Sequence, residues 1–199
     1  MIENVGNKLE LFVHQTTKAG NTECGDSYFY KATDEYFICV MADGLGSGKY
    51  AHEASSAVVS VVEEYHHENL DSLMSRCNKV LYQKRGAAVS ILKVFFERKE
   101  FVYSGVGNIR FYLYSPQGKL TYPLPVSGYL SGKPQAFHTQ CFAYEPESKF
   151  LIYSDGYDIH GAKSLLGGYR STKAIAGEIK RNHVDGIDDA TFILGSLLN

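Results

Sequence analysis

From Ala87 to Leu124 the chain reads as one strand after another. AAVSILKVFF, EFVYSGV, IRFYLYS and GKLTYPL are rich in aromatic and β-branched residues, and the polar pieces ERKE and SPQG between them are turn-like. Any fold must house this succession. Upstream, LELFVHQ and SYFYKA also read as strands, and the unbroken apolar run YFICVMA fits a strand buried on both faces. Downstream come TQCFAYE, SKFLIYS and a closing ATFILGSLL. Helical spacing first interrupts the strands after Tyr50. Ala54, Ala57, Val58, Val61, Val62 and Tyr65 recur at intervals of three and four, as do Leu70, Leu73, Met74, Cys77 and Leu81. A further segment, Tyr157 to His183, looks helical in pieces broken at LGGY, and the Pro-, Gly- and Ser-rich stretch from Pro123 to Phe137 reads as a surface loop. Strands in succession with helices in pairs is an α+β pattern. Two mainly antiparallel sheets stacked face to face, with helices outside, meet it: a four-layer α-β-β-α sandwich formed by residues 1–199 as a single domain.

Composition narrows the class. The 199 residues are 44% hydrophobic and 21% charged, ordinary globular usage and enough for a proper core. No apolar run approaches the length of a membrane span, and the start MIENVGNKLELFV lacks the basic-then-apolar order of a secretion signal. With 20 basic and 22 acidic side chains, nucleic acid is not an expected partner. Cys24, Cys39, Cys77 and Cys141 lie far apart without a CxxC pair, which suits reduced thiols. A soluble, cytoplasmic, monomeric protein with no membrane contact is the expectation.

The string DGLGSGK, Asp43 to Lys49, poses a choice. It could wrap a nucleotide phosphate, or it could present Asp43 to a metal. The phosphate loop needs glycine where Asp43 stands and Ser or Thr where Tyr50 stands. A carboxylate at the mouth of such a cradle would repel its ligand. The metal alternative needs further carboxylates, and the chain has them. Asp43 follows YFICVMA, Asp155 follows KFLIYS, Asp188 and Asp189 precede ATFIL, and Asp26 precedes SYFY. Each stands at one tip of an apolar strand. Singly, an Asp-Gly is more often a turn than a ligand. Jointly, converging tips make an oxygen-rich pocket suited to Mg²⁺ or Mn²⁺, and glycine after Asp43 lets a backbone carbonyl approach an ion closely.

The ordered set GDS (Gly25–Ser27), ADGLGSG (Ala42–Gly48), RGAAVSIL (Arg85–Leu92), GVGNIR (Gly105–Arg110), SDG (Ser154–Gly156) and DDAT (Asp188–Thr191) resembles the metal-dependent protein phosphatases of the 2C class. The wording DGLGSG is similar to their bacterial branch of sporulation and stress-regulating enzymes. That resemblance implies two Mn²⁺ or Mg²⁺ ions. It implies Asp43 as their bridge, the Gly44 carbonyl as a further ligand, Asp155 and Asp188 at the first metal, and Asp26 near the second. GAAVS and GVGN match positions that support the pocket. The arginine that many family members place before the first Asp, to hold the substrate phosphate, is absent from GNTECGD. The family's flap near the metals should be reduced or missing, since little sequence separates SDG from DDAT.

The expected function is hydrolysis of phosphoserine or phosphothreonine on a regulator of the partner-switching kind, in negative feedback on a bacterial general stress (sigma-B) response. Asp26, Asp43, Asp155 and Asp188 are the residues expected to carry it. The alternative is an inactive pseudo-phosphatase that binds such a regulator without hydrolysing it. No histidine shows ligand spacing, no GxSxG exists, and Cys24, though near Asp26 in sequence, is given no catalytic role. Within the Pro123–Phe137 loop, Tyr129, Leu130 and Lys133 are expected to help dock the protein substrate.

Overall fold

The structure, a computed structural model, describes residues 2–5, 7–169 and 171–198, and for 2–5 the backbone alone. The strands are β1 (Ile2–Val5), β2 (Leu9–Thr16), β3 (Asp26–Ala32), β4 (Tyr36–Gly44), β5 (Ala87–Phe95), β6 (Glu100–Val106), β7 (Arg110–Tyr114), β8 (Leu120–Thr121), β9 (Gln140–Ala143), β10 (Lys149–Tyr153) and β11 (Ala190–Leu197). The helices are α1 (Lys49–Tyr65), α2 (Leu70–Val80), α3 (Ala162–Gly168) and α4 (Thr172–Arg181). One sheet runs β1-β2-β11-β10-β7-β8, the other β3-β4-β5-β6-β9, and every strand pair within them is antiparallel.

Three apolar layers hold the sandwich together. Between the sheets lie Phe37, Met41, Phe101, Tyr103, Phe111, Phe150 and Ile193, all fully buried. Outside the second sheet, Ala54, Val58 and Val62 of α1 and Leu73, Met74 and Cys77 of α2 cover Ile38, Val40 and Ile91. Those helix positions are the ones spaced three and four apart in sequence. Outside the first sheet, Leu166 of α3 and Ile175, Ala176 and Ile179 of α4 cover Leu151, Phe192 and Leu194. Strands β4, β5 and β11 therefore face apolar partners on both sides, which is why they read as continuous apolar runs.

Three local expectations need adjustment. The N-terminal residues Ile2–Val5 form an edge strand, which the short IENV, with two polar residues in its middle, does not announce. GKLTYPL yields only the two-residue β8. The Pro123–Phe137 loop is tied down at several points. Ala87 and Leu130 exchange backbone hydrogen bonds of 2.9 Å each way, Gly107 N donates to Val126 O at 2.9 Å, and Asn78 Oδ1 accepts from the backbone of Ser131 and Gly132 at 3.1 and 3.0 Å. Leu130 is fully buried against α2 and β5, so it cannot dock a partner. Among the described residues no separate flap stands between Ser154 and Asp189, because α3 and α4 take up that stretch as the fourth layer.

Candidate metal centre

Strand register brings the acids together. Asp26, the first residue of β3, pairs directly with Asp43 near the end of β4. In the other sheet β10 ends at Tyr153, paired with Phe192 of β11, so Asp155 and the Asp188-Asp189 pair leave the same edge side by side. Both edges lie at one end of the sandwich. Asp43, Gly44, Leu45, Gly46, Ser47, Ala88, Asn108, Asp155, Asp188, Asp189 and Lys18 surround a cavity there of about 310 Å³. Asp26 sits beneath it, buried at 2% exposure.

Glycines let the walls close. A Cβ on Gly44 would stand 2.0 Å from the Ala51 carbonyl oxygen in the first turn of α1. One on Gly156 would stand 2.2 Å from the Asp189 carbonyl oxygen. No real side chain tolerates such separations, so the Asp-Gly pairs bring their carboxylates to the cavity by close backbone approach rather than by a simple turn.

Four of the five acids have a positioning partner. Ser154 Oγ donates to Asp26 Oδ2 at 2.6 Å and itself accepts from Thr191 N at 2.9 Å. Asn108 Nδ2 donates to Asp155 Oδ2 at 2.6 Å. The backbone N–H of Lys18 donates to Asp189 Oδ1 at 3.0 Å, while its ammonium reaches Asp188 Oδ1 at 3.4 Å. Asp26 Oδ1 and Asp189 Oδ2 remain buried with no hydrogen-bond partner. Buried carboxylate oxygens left bare are costly, and they mark a place for a cation or a proton.

Electrostatics agrees. Burial, followed by the charges of Asp26, Asp155, Asp188 and Asp189, pushes the Asp43 carboxyl up to about 8. Burial, partly offset by Ser154 and Thr191, pushes Asp26 up to about 6. Asp155 is raised too, by burial first and Asp188 second. Groups that resist ionisation at neutral pH favour a positive partner strongly. Among the described residues no three His, Cys, Asp or Glu side chains stand close enough together to hold an ion. The donor set, all carboxylate and carbonyl oxygen, fits Mg²⁺ or Mn²⁺ and suits soft metals poorly.

The structure brings Asp26, Asp43, Gly44, Asp155 and Asp188 to one place, as their strand-tip positions suggested. By sequence, Asp189 counts among the strand-tip acids without a ligand role, Asn108 and Ser154 are read only within the GVGN and SDG motifs, and Lys18 is not singled out. Asp189 was visible in the DD pair; the other three owe their places to contacts between residues 47 to 171 positions apart. Cys24 is buried, and burial together with Asp26 pushes its thiol up to about 12, so it is no nucleophile.

Residues 33–192 match the family model described as stage II sporulation protein E, SpoIIE. The chain belongs to the SpoIIE family. This SpoIIE-family chain is 47% identical over 189 residues to the phosphoserine phosphatase RsbX of Bacillus subtilis (strain 168), an alignment covering 95% of each. It also superposes on the crystal structure of RsbX in complex with magnesium with a TM-score of 0.95 at 45% identity, covering 99% of this chain and all of that one. The PP2C phosphatase domain of SpoIIE from Bacillus subtilis superposes with a TM-score of 0.81 at 13% identity, over 96% of this chain and 63% of that one. That last likeness speaks for the fold, a PP2C sandwich, in line with the layers expected from sequence.

Proposed function

We propose that this chain is a metal-dependent phosphatase of phosphoserine and phosphothreonine in proteins, and that Asp26, Asp43, the Gly44 carbonyl, Asp155 and Asp188 hold a pair of Mg²⁺ or Mn²⁺ ions. The observation that carries the reading is the facing of Asp43 and Asp155 from opposite sheets across one open cavity, with the Asp43 carboxyl pushed up to about 8. The likeness to a phosphoserine phosphatase across 95% of both chains supports it. When bound, the ions supply Lewis-acid activation of water for in-line attack on phosphorus.

The chain's own residues prepare that chemistry. Ser154 and Asn108 fix one oxygen each of Asp26 and Asp155, leaving the other oxygens free for cations. The Lys18 backbone anchors Asp189 and so sets the entry to β11. Among the described residues the Lys18 ammonium is the one cationic side chain lining the cavity, on a wall where a phosphate dianion meets acids. No side-chain nucleophile is needed, and Cys24 is unfit to be one. The substrate we assign is a phosphorylated regulator of the partner-switching kind in a bacterial stress pathway, which the enzyme would return to its unphosphorylated form.

The test is hydrolysis of a chromogenic phosphate ester with Mn²⁺ or Mg²⁺, compared with EDTA. Turnover that disappears with chelation and returns with metal supports the reading. An inactive binding module would give none in either condition.

A further inference from the structure

Beside the cavity lies a face that the hydrolytic chemistry leaves unused. Leu45, Gly46 and Ser47 line the cavity, and the turn they form leads into α1, whose second residue is Tyr50. Arg85 leans on this turn from the segment before β5. Its Nη1 donates to Leu45 O at 3.3 Å, and its guanidinium carbon lies 5.5 Å from the centre of the Tyr50 ring. Next to it, Gly86 O accepts from Leu45 N at 2.9 Å. Tyr129 lies against Gly86 so closely that a Cβ there would stand 2.3 Å from the ring, and Tyr82 abuts Gly132 of the same loop.

Of the eight exposed large hydrophobic side chains among the described residues, four belong to these segments: Leu45, Tyr50, Tyr82 and Tyr129, exposed by 38, 62, 67 and 47%. Of the remaining four, Leu124 lies earlier in the loop that carries Tyr129, and Val184, Ile187 and Leu198 come from other segments. Arg85 has no carboxylate partner among the described residues; its contacts are a carbonyl and a ring. A weakly hydrated, planar cation among tyrosines is the composition found at the energetic centres of protein interfaces.

We propose that this rim, Leu45, Tyr50, Tyr82, Arg85 and Tyr129, docks the phosphoprotein substrate, with Arg85 engaging an acidic side chain beside the phosphorylated residue. The proposal rests on the phosphatase reading above. Charge selects the occupant. Arg85 is a cation with no carboxylate partner among the described residues, beside the turn that forms the cavity wall, so an acidic side chain on the occupant complements it. A tyrosine-rich surround raises its worth by excluding water. The anchored loop presents Tyr129 rigidly, because Leu130 is fixed in the core and Asn78 holds Ser131 and Gly132. This assigns docking to Tyr129 without Leu130.

Two phosphoserine peptides test it, identical except that one carries glutamates and the other glutamines around the phosphoserine. Hydrolysis with Mn²⁺ and affinity by fluorescence anisotropy are read in parallel, beside an aryl phosphate. For the wild type, kcat/KM and affinity should favour the glutamate peptide by about tenfold. Arg85→Glu should abolish or reverse that ratio, Arg85→Lys should keep part of it, and Tyr50→Ser with Tyr129→Ser should weaken both peptides. All variants should keep aryl phosphate hydrolysis within about twofold, which also certifies folding. An unchanged peptide ratio in Arg85→Glu overturns the proposal, as does a parallel fall on the aryl phosphate. A dimer by light scattering that Tyr50→Ser dissociates overturns it too, since the face would then serve a second copy. If the wild type hydrolyses nothing while the affinity ratio behaves as stated, the phosphatase reading fails and the docking surface stands.

Discussion

Ser154 Oγ and Asp26 Oδ2 stand 2.6 Å apart, and their hydrogen bond spans the seam between the two sheets. Ser154 directly follows β10 and Asp26 begins β3, 128 residues earlier. The same hydroxyl accepts from Thr191 N at 2.9 Å, so one small side chain sets the relative height of β3, β10 and β11 at the acidic end.

Ser154→Ala should therefore cost both stability and metal affinity. It strips Asp26 of its hydroxyl donor and leaves Thr191 N without this acceptor, at a position fully closed to solvent. A loss of about 1–3 kcal/mol is expected in urea unfolding. Weaker Mn²⁺ binding by calorimetry should accompany it. An unchanged unfolding midpoint would show that the bond contributes nothing net.

Asp43→Asn should remove at least nine-tenths of metal-dependent turnover while the fold remains. Its carboxyl lies among four other acids and is raised to about 8, so without metal it holds a proton at neutral pH, and Asn imitates that uncharged form. In EDTA the variant should melt at or above the wild-type temperature. Turnover above a tenth of wild type in Mn²⁺ defeats the assignment of this residue.

The pH dependence of the metal-free protein comes from the same groups. Asp26 and Asp43 are raised from 3.8 to about 6 and about 8. Between the unfolded value and these, the folded chain keeps protons that the unfolded chain has released, so stability falls as pH rises. In EDTA the decline should be steepest from about pH 4 to 6, where both carboxyls contribute, and continue to about pH 8 through Asp43 alone. Millimolar Mn²⁺ should flatten or reverse the trend, because the ion displaces those protons. Melting curves across pH with and without metal check this; an EDTA-state Tm that climbs from pH 5 to 8 would contradict it.

Asn108→Ala should lower metal affinity by about 10–100-fold with a small effect on unfolding, since Asn108 is exposed and its amide orients Asp155 at 2.6 Å. Titration with Mn²⁺, read as recovery of aryl phosphate turnover, measures it. Recovery at the wild-type metal concentration would show that Asp155 needs no such support.

Gly156→Ala probes close approach directly. The added Cβ meets the Asp189 carbonyl at 2.2 Å and the Ala190 Cβ at 2.7 Å, both on the entry to β11. Either the SDG turn or the DDAT turn must move, and the expected result is a lowered melting temperature together with lost metal response. Wild-type values for both would mean that the backbone yields freely there.

The layers and the acids' addresses were legible along the chain. Helical periodicity from Ala54 to Leu81 and unbroken apolar runs at Tyr36–Ala42 and Ala190–Leu194 report burial on defined faces, and burial is a local pattern written into neighbouring residues. An aspartate at the tip of each such run could likewise be read there. Which partners those acids meet emerged only from the folded chain. Lys18 against Asp188 and Asp189, Asn108 against Asp155, and Ser154 against Asp26 are contacts between distant segments, and no periodicity encodes them. The Pro123–Phe137 loop shows the same limit. Its turn residues announced a connection, but only the pairing of Leu130 with Ala87 across 43 positions turned its middle into core and left Tyr129 outside beside Arg85. Short-range rules fix which face of an element is apolar; the relative placement of elements depends on how all three apolar layers close at once.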